Sequence, residues 1–534
     1  MAGQRILGRK SITRHDVCAG LCAALLPILL TGCLFEAEDA GDRRGETTVP
    51  LVQTADQVMR VHKRGRLALR PSTALPAPAS RPTRQARPAR PPRVEEARPP
   101  QVSAGAPQLE PEGRGNGRVE TLPAARSVRP LARFHRALHH LKTGVRHAPV
   151  TVLHLGDSHI ASDRFTGDVR EMLRARFGDA GRGLMMPGFP FAYYRARGVK
   201  FARRGTWKAA NSFRGAKGPF GITGVRLTSS QKGARLSLAS DSGPFEWAEV
   251  TFLTGPRHGS AFVAVNNKGR MVSTKGESGR VKRVRIDHKG VELSIRVQGD
   301  GPVSLLSWAV GNNRPGIRYV NLGIPGATAD TVRRWDNELV AEDIRHLKPD
   351  LIVLGFGTNE GFNDGLRIAD YEQRVADLAD RLMAAAPQAA LAIIGPPDAA
   401  RYPRYATGRS AAGCRPLSAG ERSDYARLYR SRSKTLMRWH APPKLAEVRA
   451  ALARVAKARN AHYWDWSAAM GGPCAVHEWS RSRPRLAASD HVHITARGSL
   501  LSAHAFYASL IAGYDAAHKV ASSTAPGRQE SEVR

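Results

Sequence analysis

The stretch Val150-Thr151-Val152-Leu153-His154-Leu155-Gly156-Asp157-Ser158-His159 decides the fold. Its apolar run, Val150 to Leu155, predicts a short buried strand that breaks at Gly156. A helical pattern begins near Asp163, with Phe165, Val169, Met172, Leu173 and Phe177 at helix spacing. A strand, turn and helix in that order place Ser158 at the carboxyl end of a parallel strand, where open α/β sheets build their sites. Further along, strands are expected at Arg318 to Leu322, Asp350 to Gly355, Leu391 to Ile394 and His462 to Trp466. Helices are expected at Ala369 to Ala386, Leu445 to Arg459 and Ile494 to Leu510. The unbroken Leu351-Ile352-Val353-Leu354 is what a strand buried on both faces requires, so the class is α/β with a three-layer parallel sheet.

Three more blocks follow Gly156-Asp157-Ser158-His159 in order: Gly323 to Gly326, Gly357-Thr358-Asn359-Glu360, and Asp490-His491-Val492-His493. Each alone reads as a turn; together they describe a serine esterase. A serine hydroxyl becomes nucleophilic only beside a base, and the base needs a group to hold its tautomer. Asp490 and His493 are spaced to share one side of a helical turn, while His491, next to Asp490, is the alternative base. Donors for the oxyanion of acyl transfer are the Ser158 and Gly326 amides and the Asn359 side chain. His159 reads as a hydrogen-bonding neighbour of the site and not as catalytic.

These blocks resemble the SGNH/GDSL hydrolase superfamily, whose signature letters fall on Ser158, Gly326, Asn359 and His493. The resemblance covers about 130 to 195 and 316 to 515. It implies a three-layer α/β/α, flavodoxin-like domain with Ser158 as nucleophile, His493 as base and Asp490 as its orienter. The oxyanion hole would be Ser158, Gly326 and Asn359, with Asp157, His159 and Glu360 behind them. His159 and Glu360 depart from the commoner Leu and Asp. With Arg176-Phe177-Gly178-Asp179, Gly181-Arg182-Gly183 and a long β-rich insertion, the chain is similar to peptidoglycan O-acetylesterases of bacterial envelopes. The implied substrate is an acetylated cell-wall glycan, with no cofactor and no metal.

From about Val199 to Gly311 short alternating runs appear, at Ala234 to Leu238, Ala248 to Leu253, Ser260 to Val265, Lys282 to Ile286 and Val291 to Gln298. They predict an antiparallel sandwich or jelly roll, read as a separate inserted domain. By resemblance it looks like a carbohydrate-binding module, in which Trp207, Phe245, Trp247 or Trp308 either grip glycan or fill the core. The expected organisation is therefore hydrolase at 123–198 and 312–515, insertion at 199–311, and a disordered tail at 516–534.

Arg5, Arg9, Lys10 and Arg14 precede the apolar stretch Val17 to Leu30 and then Leu30-Thr31-Gly32-Cys33. This resembles a bacterial lipobox, so 1–33 is expected to be a lipoprotein signal with Cys33 lipidated; a cleaved signal or an uncleaved anchor are the alternatives, and all three export the chain. Leu34 after the cysteine points by resemblance to the outer membrane, facing the periplasm. Without the leader, Cys414 and Cys474 remain as a free pair, either a disulfide or two thiols, and their spacing is not that of a metal site. Residues 34–122, rich in Pro, Arg, Ala and Gly, bury too little apolar surface to order and read as a tether. Such a tether reaches roughly 50 Å as a coil and up to about 260 Å as polyproline.

Arg81, Arg84, Arg87, Arg90 and Arg93 recur every third residue, the polyproline II period, and would line one edge. The formal charge of +36 suits anionic envelope polymers or nucleic acid. The export leader, the four hydrolase blocks and the absence of a zinc-finger or basic-zipper pattern argue against nucleic acid. Within catalysis, a broad carboxylesterase or an O-acyltransferase would use the same acyl-serine chemistry, and a non-catalytic glycan-binding lipoprotein is the remaining alternative.

Overall fold

The computed structural model describes residues 129–191, 194–409 and 411–523. The leader with Cys33 and the Arg-rich tether lie outside the described residues.

In chain order the strands are β1 (Val150–Gly156), β2 (Gly183–Met185), β3 (Val199–Arg204), β4 (Lys208–Asn211), β5 (Val225–Ser229), β6 (Arg235–Ser240), β7 (Trp247–Leu253) and β8 (Ser260–Val265). They continue as β9 (Lys268–Ser273), β10 (Val281–Ile286), β11 (Glu292–Val297), β12 (Val303–Gly311), β13 (Ile317–Gly323), β14 (Leu351–Gly355), β15 (Ala390–Gly395) and β16 (His462–Asp465). One five-stranded sheet, ordered β13-β1-β14-β15-β16, is parallel throughout. Two further sheets are antiparallel, ordered β10-β7-β12-β5-β4 with β2 added on β12, and β3-β6-β11-β8-β9.

Strand periodicity sorts the parallel sheet's side chains into two layers. Val150 and Val152 of β1 and Leu351 and Val353 of β14 face the helices Ala132–Lys142, Phe165–Phe177 and Ala496–Ser523, represented by Phe134, Val169 and Phe506. Leu153, Leu155, Ile352 and Leu354 face the opposite way, against Val375 and Leu382 of helix Ile368–Ala385 and Val448 and Leu452 of helix Leu445–Ala458. The domain is therefore three-layered, with helices on both faces of a buried sheet.

The β-rich insertion begins earlier than Val199, because β2 at Gly183 already pairs with β12. Its apolar residues run continuously into the layer that holds Leu153 and Leu155, so it shares a core with the hydrolase fold instead of forming a detached body. Trp207, Phe245, Trp247 and Trp308 are all buried, which assigns them to core packing and not to a glycan surface. The terminal helix is also longer than expected and shifted, Ala496–Ser523, and so runs past the expected domain end at 515. Among the described residues no helix is long and apolar enough to cross a membrane.

The carboxyl edge is set by close backbone approach. Register aligns Gly156 with Gly323 on one side and with Gly355 on the other. A Cβ on Gly323 would lie 2.2 Å from the Ala161 amide nitrogen and 2.7 Å from the Asp157 carbonyl oxygen, both backbone atoms of the turn that carries Ser158. Gly323→Ala is thus expected to lower unfolding stability by about 1–3 kcal/mol, the usual range for overpacking a tight site. A denaturant midpoint equal to the parent's would show that this approach is not tight.

Candidate active site

The aligned glycines start three loops side by side. Two residues after Gly156, Ser158 opens the short helix Ser158–Ala161, and the Asp157 carboxylate caps it by accepting the His159 amide at 2.9 Å. Gly326 lies three residues after Gly323, in the left-handed region at φ 78°, with its α-carbon against the Phe213 ring. Asn359 lies four residues after Gly355 in the helix Thr358–Gly361.

Ser158 is 4% exposed, and its Oγ lies 3.1 Å from His493 Nε2. His493 Nδ1 lies 2.6 Å from Asp490 Oδ2. A carboxylate only accepts, so in the neutral imidazole the proton sits on Nδ1 and the Nε2 lone pair faces the serine hydroxyl. Burial pushes the Asp490 carboxyl up, but the hydrogen bond and charge of His493 and the amides of His493 and Val492 outweigh it and hold the group below its ordinary value. Asp490 is thus an anion, placed to stabilise the imidazolium that forms when His493 takes the Ser158 proton.

The loop that carries this pair is not helical. Asp490 Oδ1 accepts the Val492 amide at 2.8 Å and the His493 amide at 2.9 Å, which folds residues 490–493 into a side-chain-closed turn ahead of the final helix. The same turn separates the two histidines. His491 stands in the left-handed region and turns into a box of its own, with Nε2 2.9 Å from Ser480 Oγ and 3.0 Å from His477 Nδ1. Its ring stacks on Trp439 at 3.5 Å, and burial pushes its imidazole down to about 4. Of the two candidates, His493 is the one that meets Ser158.

Neither the Ser158 nor the Gly326 amide donates a hydrogen bond among the described residues. Asn359 Nδ2 donates to the Ala327 carbonyl at 2.8 Å, which leaves its second N–H for a ligand. His159 reaches across the site, with Nδ1 3.2 Å from Asp157 Oδ1 and Nε2 3.0 Å from the Val492 carbonyl, so it ties the nucleophile turn to the base loop. The arrangement can move a proton from Ser158 to His493 and offer amide donors to an oxyanion.

The sequence placed Glu360 behind the oxyanion donors without showing what it holds, and Trp439 and Asp398 do not stand out in it. Glu360 accepts the Ala329 amide at 2.8 Å and the Gly357 amide at 3.1 Å, clamping the Gly326 loop to the Asn359 loop. Trp439 walls the His491 box. Asp398 accepts the Val476 amide at 3.1 Å, and burial pushes its carboxyl up to about 6; its position after Gly395-Pro396-Pro397, at the end of a buried strand, was the available signal. Cys414 and Cys474 are joined in a disulfide with Cα atoms 5.8 Å apart, and Cys474 caps the helix Ala475–Arg481 that supplies His477 and Ser480. Among the described residues no group of three His, Cys, Asp or Glu side chains could hold a metal ion.

Burial pushes the Glu360 carboxyl up to about 7, against the pull of the two amides. Because the folded value lies above the ordinary one, the stability tied to this group is complete below about 4.5 and is lost as pH rises through about 7. Glu360→Gln, which does not titrate, is expected to gain stability relative to wild type over that window. It should also lose activity by about tenfold, since the two N–H groups bond different carboxylate oxygens and Gln keeps only one oxygen, leaving one N–H facing an NH2. Denaturant midpoints at several pH values check the first; parallel pH profiles of the two proteins would refute it.

Residues 294–501 match the model of the GDSL-like Lipase/Acylhydrolase family. The match takes in the Gly326, Asn359 and His493 blocks; the Ser158 block lies before it, across the insertion. A solved structure of a peptidoglycan O-acetylesterase is 25% identical, with a TM-score of 0.58 over 72% of this chain and 96% of its own. A family two carbohydrate esterase from Cellvibrio japonicus is 11% identical, with a TM-score of 0.24 over 59% of this chain and 98% of its own. A Bacillus subtilis protein is 14% identical, with a TM-score of 0.26 over 64% and 98%. No curated protein matches the chain. Residues 294–501 thus carry a GDSL-like lipase/acylhydrolase domain, and that match together with the peptidoglycan O-acetylesterase structure supports an α/β hydrolase of the SGNH/GDSL type that acts on esters.

Proposed function

We propose that this protein is an exported, lipid-anchored esterase that removes O-acetyl groups from a cell-wall glycan of the peptidoglycan type. The observation that carries the chemistry is the hydrogen-bonded series Ser158 Oγ, His493 and Asp490 at 3.1 Å and 2.6 Å. The 25% identical peptidoglycan O-acetylesterase, covered over 96% of its length, supports the substrate. The Leu30-Thr31-Gly32-Cys33 signature supports export and lipidation at Cys33.

In the reaction Ser158 Oγ attacks the acetyl carbonyl carbon while its proton passes to His493 Nε2, and Asp490 balances the imidazolium. The carbonyl oxygen, now an oxyanion, takes hydrogen bonds from the Ser158 and Gly326 amides and the Asn359 side chain. Collapse breaks the bond to the sugar oxygen, which leaves as a hydroxyl with the proton from His493. Water, deprotonated by His493, then attacks the acetyl-serine ester, and acetate departs as Ser158 recovers its proton.

The test is acetate release from O-acetylated peptidoglycan and from acetylated xylan by the chain without its leader. Wild type is expected to act on peptidoglycan, and Ser158→Ala to lose at least about a thousandfold. Equal release from xylan would remove the narrow substrate; release from neither would shift the reading to acyl transfer or binding. Cys33→Ser is expected to move the protein from the membrane fraction to the soluble envelope fraction, and unchanged membrane attachment would refute the lipid anchor.

A further inference from the structure

A cavity of about 510 Å³ opens beside β3, lined by Phe189, Phe191, Phe201, Ala202 and Arg203. It does not include the groups that surround Ser158. Strand alternation puts Phe201 and Arg203 on the same face of β3, an edge strand of its sheet. Phe201 is clasped between Tyr194 and Trp308, with ring centroids at 5.7 Å and 5.5 Å, so the apolar wall is braced from the core. Phe189 meets the Phe201 ring edge-on at 5.9 Å, and both Phe189 and Phe191 remain only partly buried. Half-exposed aromatic rings on a braced wall are suited to the C–H faces and acetamide methyl groups of amino sugars.

The rim supplies the opposite chemistry. Arg203, which lines the pocket, is exposed and has no carboxylate partner among the described residues, while Lys200 and Arg204 alternate onto the opposite face of β3. Some arginines of the insertion are matched, as Arg235 is to Glu292 and Arg283 is to Glu342 and Asp343, whereas Arg203 keeps its guanidinium open next to the aromatic wall. A guanidinium left open beside an aromatic wall takes a carboxylate in a two-pronged hydrogen bond. The segment is also tethered to the nucleophile region. Asp163, five residues beyond Ser158, accepts the Arg197 amide at 2.7 Å and is bonded to Arg170 and Arg182. Burial pushes the Asp163 carboxyl up, but the two arginines outweigh it and hold it at about 2.

We propose that the Phe189, Phe191, Phe201 and Arg203 pocket is a substrate-holding subsite for an N-acetylated amino-sugar segment that carries a carboxylate. It rests on the cell-wall reading of the substrate and deepens it. Rings take the apolar sugar face, Arg203 takes the carboxylate, and the polymer is held while its ester reaches Ser158.

The experiment measures binding of a disaccharide-tetrapeptide fragment of peptidoglycan, of uncharged chitotetraose and of a single-stranded oligonucleotide to the full chain carrying Ser158→Ala. Arg203→Glu is expected to weaken the acidic fragment about tenfold or more and chitotetraose by less than about threefold, while Phe189→Ala weakens both about fivefold. With Ser158 intact, both variants should keep kcat/KM on p-nitrophenyl acetate within about twofold and raise KM for acetylated peptidoglycan, which also shows that they fold. Fragment binding unchanged in both variants would overturn the subsite, as would equal loss on the small ester or an oligonucleotide bound more tightly than the fragment. If wild type cleaves p-nitrophenyl acetate but frees no acetate from peptidoglycan, the substrate reading fails, while the binding comparison still decides the pocket by itself.

Discussion

The site depends on three strands ending abreast. Gly323, Gly156 and Gly355 occupy matched positions on β13, β1 and β14, and the absence of side chains lets the turn after β1 settle against both neighbours. A Cβ on Gly156 would meet the Gly355 carbonyl oxygen at 2.6 Å, as one on Gly323 would meet the Ser158 turn. From this common line the chain needs only two, three and four residues to deliver Ser158, Gly326 and Asn359. The geometry is thus carried by rigid sheet register, and loop flexibility contributes little to it.

Two buried carboxylates then fix what the register has aligned. Glu360 spans the loops after β13 and β14 through two backbone amides, and Asp163 gathers Thr166, Arg170, Arg182 and the Arg197 amide beneath the nucleophile helix. They differ in electrostatics. Asp163 is matched by cations and stays ionised, whereas Glu360 has no cation beside it, only backbone amides and the Asp157 carboxylate, and is sensitive to pH. The insertion is drawn into the same framework, since Phe213 packs on Gly326 while Ser212 takes a hydrogen bond from Trp335 Nε1 at 2.9 Å.

The sequence carried the α/β class well because β14 and β15, buried in the sheet, read as continuous apolar runs, with β1 broken only by Thr151 and His154. It carried β3, β4 and β9 poorly, since these are sheet edges with mostly polar, exposed side chains. Ser158, His493 and Asp490 stood out in the sequence, and the fold brings the three side chains into hydrogen-bond contact. The shape of their loop was not: helical spacing was the natural reading of Asp490 and His493, but the Asp490 carboxylate caps its own loop and overrides it. Glu360 as a clamp and Trp439 as a wall depend on contacts between segments far apart in the chain, which local pattern does not encode.

The disulfide also bears on the loop that carries the base. Cys474 leads into the helix bearing His477 and Ser480, and Cys414 bridges to Trp439; together these side chains enclose His491, two positions before His493. A bond of this kind forms where thiols can be oxidised and stays open where they are kept reduced. The reduced and the oxidised chain therefore differ by two electrons at the covalent tie between the two segments that enclose His491.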